Sequence, residues 1–107
     1  MATVKTDGSQ TATLTTEHTL ATITDAATYV LNVDTANLAD GEELTLRVYG
    51  KVRSGGTERL MYSHNVANAQ AYNHWVSLPV ATAIHVKYTL EQNGGTGRVY
   101  PWAVYEL

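Results

Sequence analysis

The sequence predicts an all-β domain, an antiparallel β-sandwich (jelly-roll-like) of about seven or eight strands, with a small barrel as the alternative. Three observations carry that prediction. Apolar residues alternate with polar ones at period two in several short stretches. Turn signals rich in Gly, Asn and Asp separate the stretches about every 8–12 residues. No stretch shows the sustained 3.6-residue period of a helix, which argues against a parallel α/β fold.

The first sixteen residues are polar and Thr-rich, and they predict an extended N-terminal arm (1–16) ahead of a single β-sandwich domain (17–107). Such an arm adds a strand to its own domain or to a neighbour, and the composition suits a disordered tail equally well. Glu17–Thr24 reads as a strand and Asp25–Ala27 as a turn. Thr28–Asp34 is a stronger strand, with Tyr29, Leu31 and Val33 on one face. After a loop over Thr35–Gly41, Glu42–Arg53 alternates most clearly, with Leu44, Leu46 and Val48 facing a core. Ser54-Gly55-Gly56-Thr57 predicts a hairpin, because glycine supplies the positive φ of a tight turn. Glu58–Asn65 returns as a strand whose register stays open: either Leu60 and Tyr62 or Met61 and Ser63 face inward. A loop over Val66–Tyr72 leads to a strand over Asn73–Val80 anchored by Trp75, with Pro79 marking an edge or bend. Ala83–Gln92 places Ile84, Val86, Tyr88 and Leu90 on one face. Asn93–Gly97 reads as a second glycine hairpin, and Arg98–Leu107 closes the domain around Trp102 and Val104.

Composition narrows the function. The chain has 107 residues, room for one domain. Only 16% are charged, against about 25% in ordinary soluble domains. A net charge of −3 and seven scattered Lys and Arg residues argue against a nucleic-acid partner, which needs cations to neutralise phosphates. Cysteine is absent, so disulfides, thiolate metal sites and a Cys nucleophile are all excluded. The N-terminus carries no apolar leader and no apolar run suits a membrane span, so neither secretion nor a membrane partner is expected.

Chemistry-bearing motifs are sparse. His18, His64, His74 and His85 form no short-range ligand pair. Glu42 and Glu43 are adjacent, so on a strand they point to opposite faces. Gly94-Gly95-Thr96-Gly97 precedes a strand-like stretch, whereas a phosphate-binding loop opens a helix. No serine has a nucleophile-elbow context. The expectation is therefore a non-enzyme without catalytic residues, cofactor or metal. One aromatic stretch stands out: Tyr72, His74 and Trp75 combine stacking rings with hydrogen-bonding groups and are the candidate contacts for a glycan under the alternative reading below. The favoured reading puts Trp75 and Trp102 in the core, since no Phe is present to fill it.

A weakly charged, Thr-rich surface can be buried in a protein contact at low desolvation cost. Three stretches also carry a resemblance: His18–Thr24, Tyr29–Tyr49 and Gly95–Val104. From about residue 17 onward the chain resembles small virion proteins of tailed bacteriophages, of the capsid cement or decoration type. The resemblance implies a sandwich or jelly-roll domain on the capsid surface of the virion, assembled in the host cytoplasm. It implies the major capsid protein and self, as dimer or trimer, as partners. A tail or head-fibre component with a receptor- or glycan-binding role is the alternative. Under the leading expectation Val4, Lys5, Thr11, Thr13 and Leu14 of the arm reach a neighbour. Arg47, Tyr49, Lys51 and Arg53 present a partly basic strand face to the shell.

Overall fold

The computed structural model describes residues 2–107. Among them lie nine strands: β1 (Thr3–Thr11), β2 (His18–Ile23), β3 (Ala27–Asp34), β4 (Glu43–Gly50), β5 (Arg59–Ala67), β6 (His74–Val76), β7 (Val80–Thr82), β8 (Val86–Asn93) and β9 (Val99–Glu106). They form two antiparallel sheets. The first runs β1-β9-β3-β6, with β7 also on β3, and the second runs β2-β8-β4-β5. The strands β6 and β7 pair with opposite ends of β3, so they act as one edge strand broken in the middle.

Counting β6 and β7 as one strand, first pairs with last, second with second-last, and so on inward: β1 with β9, β2 with β8, β3 with β6/β7, and β4 with β5. That nesting is a hairpin of hairpins wrapped into two layers, the jelly-roll arrangement. The sheets stay separate, so the chain forms the expected sandwich and not the alternative barrel.

The core sits between the sheets where the period-two pattern puts it. Tyr29, Leu31 and Val33 of β3 face Leu44, Leu46 and Val48 of β4 and Val86, Tyr88 and Leu90 of β8, with Tyr100 and Val104 from β9. These are the inner strands of the two sheets, and burial on one face fixes their register.

The polar N-terminal segment lies on this domain's own sheet. Thr3–Thr11 pairs along β9, and Gly8 makes room for the Trp102 indole, 3.2 Å from where a Cβ would stand. The segment belongs to the sandwich as its outermost strand.

Four local readings need correction. The Asn93–Gly97 loop is not a hairpin, because β8 and β9 lie in different sheets and the loop crosses between them. Asn73–Val80 is not one strand. Pro79 has no N–H to give to a ladder, and Ser77 holds the break against β3: its N–H donates to the Leu31 carbonyl and its Oγ accepts the Leu31 N–H, both at 2.8 Å. In β5 a bulge resolves the open register differently at its two ends. Tyr62 opposes Val48 and faces inward, Met61 is the extra residue, and Leu60 opposes Tyr49 on the outer face. The strand after β7 begins at Val86, which leaves Ile84 in the preceding turn.

Candidate functional site

Strand direction sorts the loops to two ends of the sandwich. One end gathers the crossings β1–β2, β3–β4, β5–β6 and β8–β9. The other gathers β2–β3, β4–β5 and β7–β8.

The first end is closed by polar side chains. Glu42 is buried, yet its carboxylate is fully engaged. Arg98 donates to it from Nε and Nη2, at 3.2 and 3.0 Å. The Ala39 and Thr96 N–H groups donate at 2.9 and 3.0 Å. The Arg98 guanidinium, helped by these two amides, holds the carboxyl down to about 2 from 4.5. Gln92, also buried, donates to the Gly94 and Thr96 carbonyls and accepts from the Arg98 N–H and the Tyr100 hydroxyl. Burial pushes the Tyr100 phenol up to about 12. The glycine run is thus wrapped around a carboxylate, and a Cβ on Gly95 would stand 2.2 Å from Glu42 Oε2. This cluster fastens the β3–β4 loop to the β8–β9 loop.

The outer face of the second sheet carries an ion network. Arg47 donates to Glu91 at 2.7 Å and lies 3.7 Å from Glu17. Glu17 also accepts from the Tyr49 and Thr89 hydroxyls. Burial works against the charged form of Glu17, but the Thr89 and Tyr49 hydroxyls and Arg47 outweigh it and lower its pKa. Lys87 lies over the Tyr49 ring at 4.4 Å and pairs with Glu58 at 2.8 Å. Most of this face's charges are neutralised within the chain.

The outer face of the first sheet is different. Residues out of phase with the buried set form it, with Val30, Asn32, Pro101, Ala103 and Tyr105 at its middle and Val4 and Val76 towards its edges. Along these alternating positions only Asp7 and Asp34 are formally charged. A shallow depression of about 500 Å³ opens there, lined by Asn32, Asp34, His74, Pro101 and Ala103 among others.

The residues singled out from sequence are distributed as follows. Arg47 and Tyr49 sit in the ion network, whereas Lys51 and Arg53 lie beyond Gly50 in the β4–β5 loop, so the four do not share a face. Val4, Lys5 and Thr11 are on β1, with Lys5 paired to Asp25. Thr13 and Leu14 sit at the far end of that strand in the β1–β2 crossing, where the Thr13 N–H donates to His18 Nε2 at 2.9 Å. Tyr72, His74 and Trp75 do share one depression, of about 160 Å³. Trp75 is half-buried against the core, 5.5 Å from the His64 ring, while His74 contacts Asn32 on the outer face. Among the described residues no three His, Asp or Glu side chains gather as a metal site. Sequence reasoning missed the Glu42–Gln92–Arg98 cluster and the position of Arg59, which joins Lys51 and Arg53 at the other end. The signal for the cluster was a glycine run facing a double-glutamate loop.

The chain matches no protein-family model, and it matches no curated protein and no solved structure.

Proposed function

We propose that the protein is a non-enzymatic structural protein of a virus particle, a cement or decoration protein that binds the major capsid protein and reinforces the shell. The observation that supports this reading is the contrast between its two broad faces. The first sheet offers a broad surface with almost no charge to desolvate, and the second sheet satisfies most of its charges internally. A jelly-roll frame suits the task, because both faces are backed by a rigid core.

Copy number tests the proposal: the protein is quantified by mass spectrometry in purified particles against their shell subunit. A ratio near one per subunit, or one per few, is expected. A few copies per particle would transfer the protein to the tail or a head fibre, and the Tyr72–Trp75 depression would then be screened for glycans. Absence from the particle overturns the proposal. A second test places arginine at Val30 and Ala103, both outward on the first sheet. Shell binding is expected to weaken about tenfold or more.

A further inference from the structure

The second end of the sandwich holds an open cleft of about 520 Å³ between the β4–β5 loop and the turn after β7. Two kinds of side chain line it. Lys51, Arg53 and Arg59 are exposed cations, and Leu60, Met61 and Val52 are exposed apolar residues, with Val52 94% accessible.

The charge pattern is uneven. Of the seven Lys and Arg residues, Lys5, Arg47, Lys87 and Arg98 each have a carboxylate partner. Lys51, Arg53 and Arg59 have none among the described residues, and all three border this cleft. The one acidic residue of the loop, Glu58, is paired instead with Lys87 and with His85. A chain of net charge −3 thus concentrates its unpaired positive charge at one end, beside solvent-exposed aliphatic side chains. The β5 bulge and Gly50 shape the site, since a Cβ on Gly50 would stand 2.8 Å from Met61 Sδ.

We propose that this cleft binds an acidic, extended segment of the partner protein, one that carries an aliphatic side chain among its carboxylates. Guanidinium forks take carboxylates with two parallel hydrogen bonds, which favours Asp and Glu as the anions. The aliphatic side chain covers Leu60 and Met61, which gain nothing from a purely ionic ligand. Three cations neutralise too few phosphates to hold a nucleic acid. The inference rests on the reading of the protein as a docking module, and it supplies the chemistry of one contact.

The test uses the whole chain and a labelled peptide, Asp-Glu-Asp-Leu-Asp-Glu-Asp, followed by fluorescence anisotropy and by amide NMR shifts. Binding is expected to move the amides of residues 51–61, to weaken as salt is raised, and to fall about tenfold or more in the triple variant Lys51→Ser, Arg53→Ser, Arg59→Ser. Met61→Ser with Leu60→Ser is expected to weaken it as well. Equal binding of the neutral peptide Asn-Gln-Asn-Leu-Asn-Gln-Asn, shifts mapping elsewhere, or tighter binding of single-stranded oligothymidylate overturns the inference. Shell binding separates it from the broader proposal. If the triple variant binds shells as well as the original chain, the cleft inference fails and the shell reading stands. If the original chain binds the peptide at the cleft but no shells, the reverse holds.

Discussion

The two ends of the sandwich use the same local signal for opposite purposes. Gly55 in the β4–β5 loop and Gly94 and Gly95 in the β8–β9 loop all adopt left-handed backbone, with φ of 77°, 78° and 70°. Around Gly55 there is open space, and its loop merely returns the chain to the same sheet. Around Gly95 lies the Glu42 carboxylate, and its loop carries the chain from one sheet to the other. One end is left open to solvent; the other is committed to holding the layers together. A glycine pair therefore specifies a backbone shape, and what surrounds it decides whether that shape is a flexible turn or a fastening.

Substitutions at the two ends should separate these roles. The largest effect is expected for Gly95→Ala, which adds left-handed strain and drives a methyl into Glu42. A loss of about 3 kcal/mol in urea unfolding is expected, and a loss equal to that of Gly55→Ala would erase the distinction. Gln92→Leu leaves the Arg98 N–H, the Tyr100 hydroxyl and two carbonyls without their partner, and is expected to cost about 2 kcal/mol. Gly55→Ala meets only the backbone penalty, about 1 kcal/mol.

Acid should act on the closed end. The Glu42 carboxyl is lowered from 4.5 to about 2 in the folded chain. A carboxyl lowered on folding contributes stability that is fully present above its unfolded value and lost as pH falls through the folded one. The urea midpoint should therefore decline from about pH 5 to about pH 2. Glu42→Gln should flatten part of that slope. Glu17 and Glu58, also lowered, the latter by Lys87 and then His85, should contribute to the slope that remains. An unchanged slope in Glu42→Gln would contradict the assignment.

Effects about the size of that at Gly55→Ala, or smaller, are expected at two buried tyrosines. Tyr100 donates to Gln92, so Tyr100→Phe is expected to lose about 1 kcal/mol. The Tyr88 hydroxyl has no partner among the described residues, and burial raises its pKa. Tyr88→Phe is expected to be neutral or slightly stabilising by thermal unfolding, and a loss as large as that at Tyr100 would show a bond at that hydroxyl.

Much of the fold was legible because the inner strands are buried on one face, which prints alternation into the sequence. The faces of β3, β4 and β8 follow directly from Tyr29–Val33, Leu44–Val48 and Val86–Leu90. Which sheet a strand joins was not legible, since a tight turn within a sheet and a crossing between sheets use the same residues; Asn93–Gly97 is the case in point. In β5 the bulged Met61 reverses the alternation, so neither candidate register held throughout. The placement of the candidate contacts was half legible. Residues 47, 49, 51 and 53 fall in one alternating set only if the strand continues, and it ends at Gly50. That parts Arg47 and Tyr49 from Lys51 and Arg53. Arg59 returns beside Lys51 and Arg53 through the hairpin, a proximity that linear spacing does not display.

The irregularities in the outer strands have a consequence for how copies of the molecule can meet. Pairing slips near Lys5 in β1, near Leu20 in β2 and at Met61 in β5, and the fourth outer strand is cut by Ser77–Pro79. The inner pairs β3–β9 and β4–β8 run without a slip. Every rim of the two sheets thus lacks the long, straight row of free amides and carbonyls that would template another chain. Edge-to-edge pairing of copies into ribbons is thereby disfavoured, and the broad faces and loop ends are the surfaces left for contact.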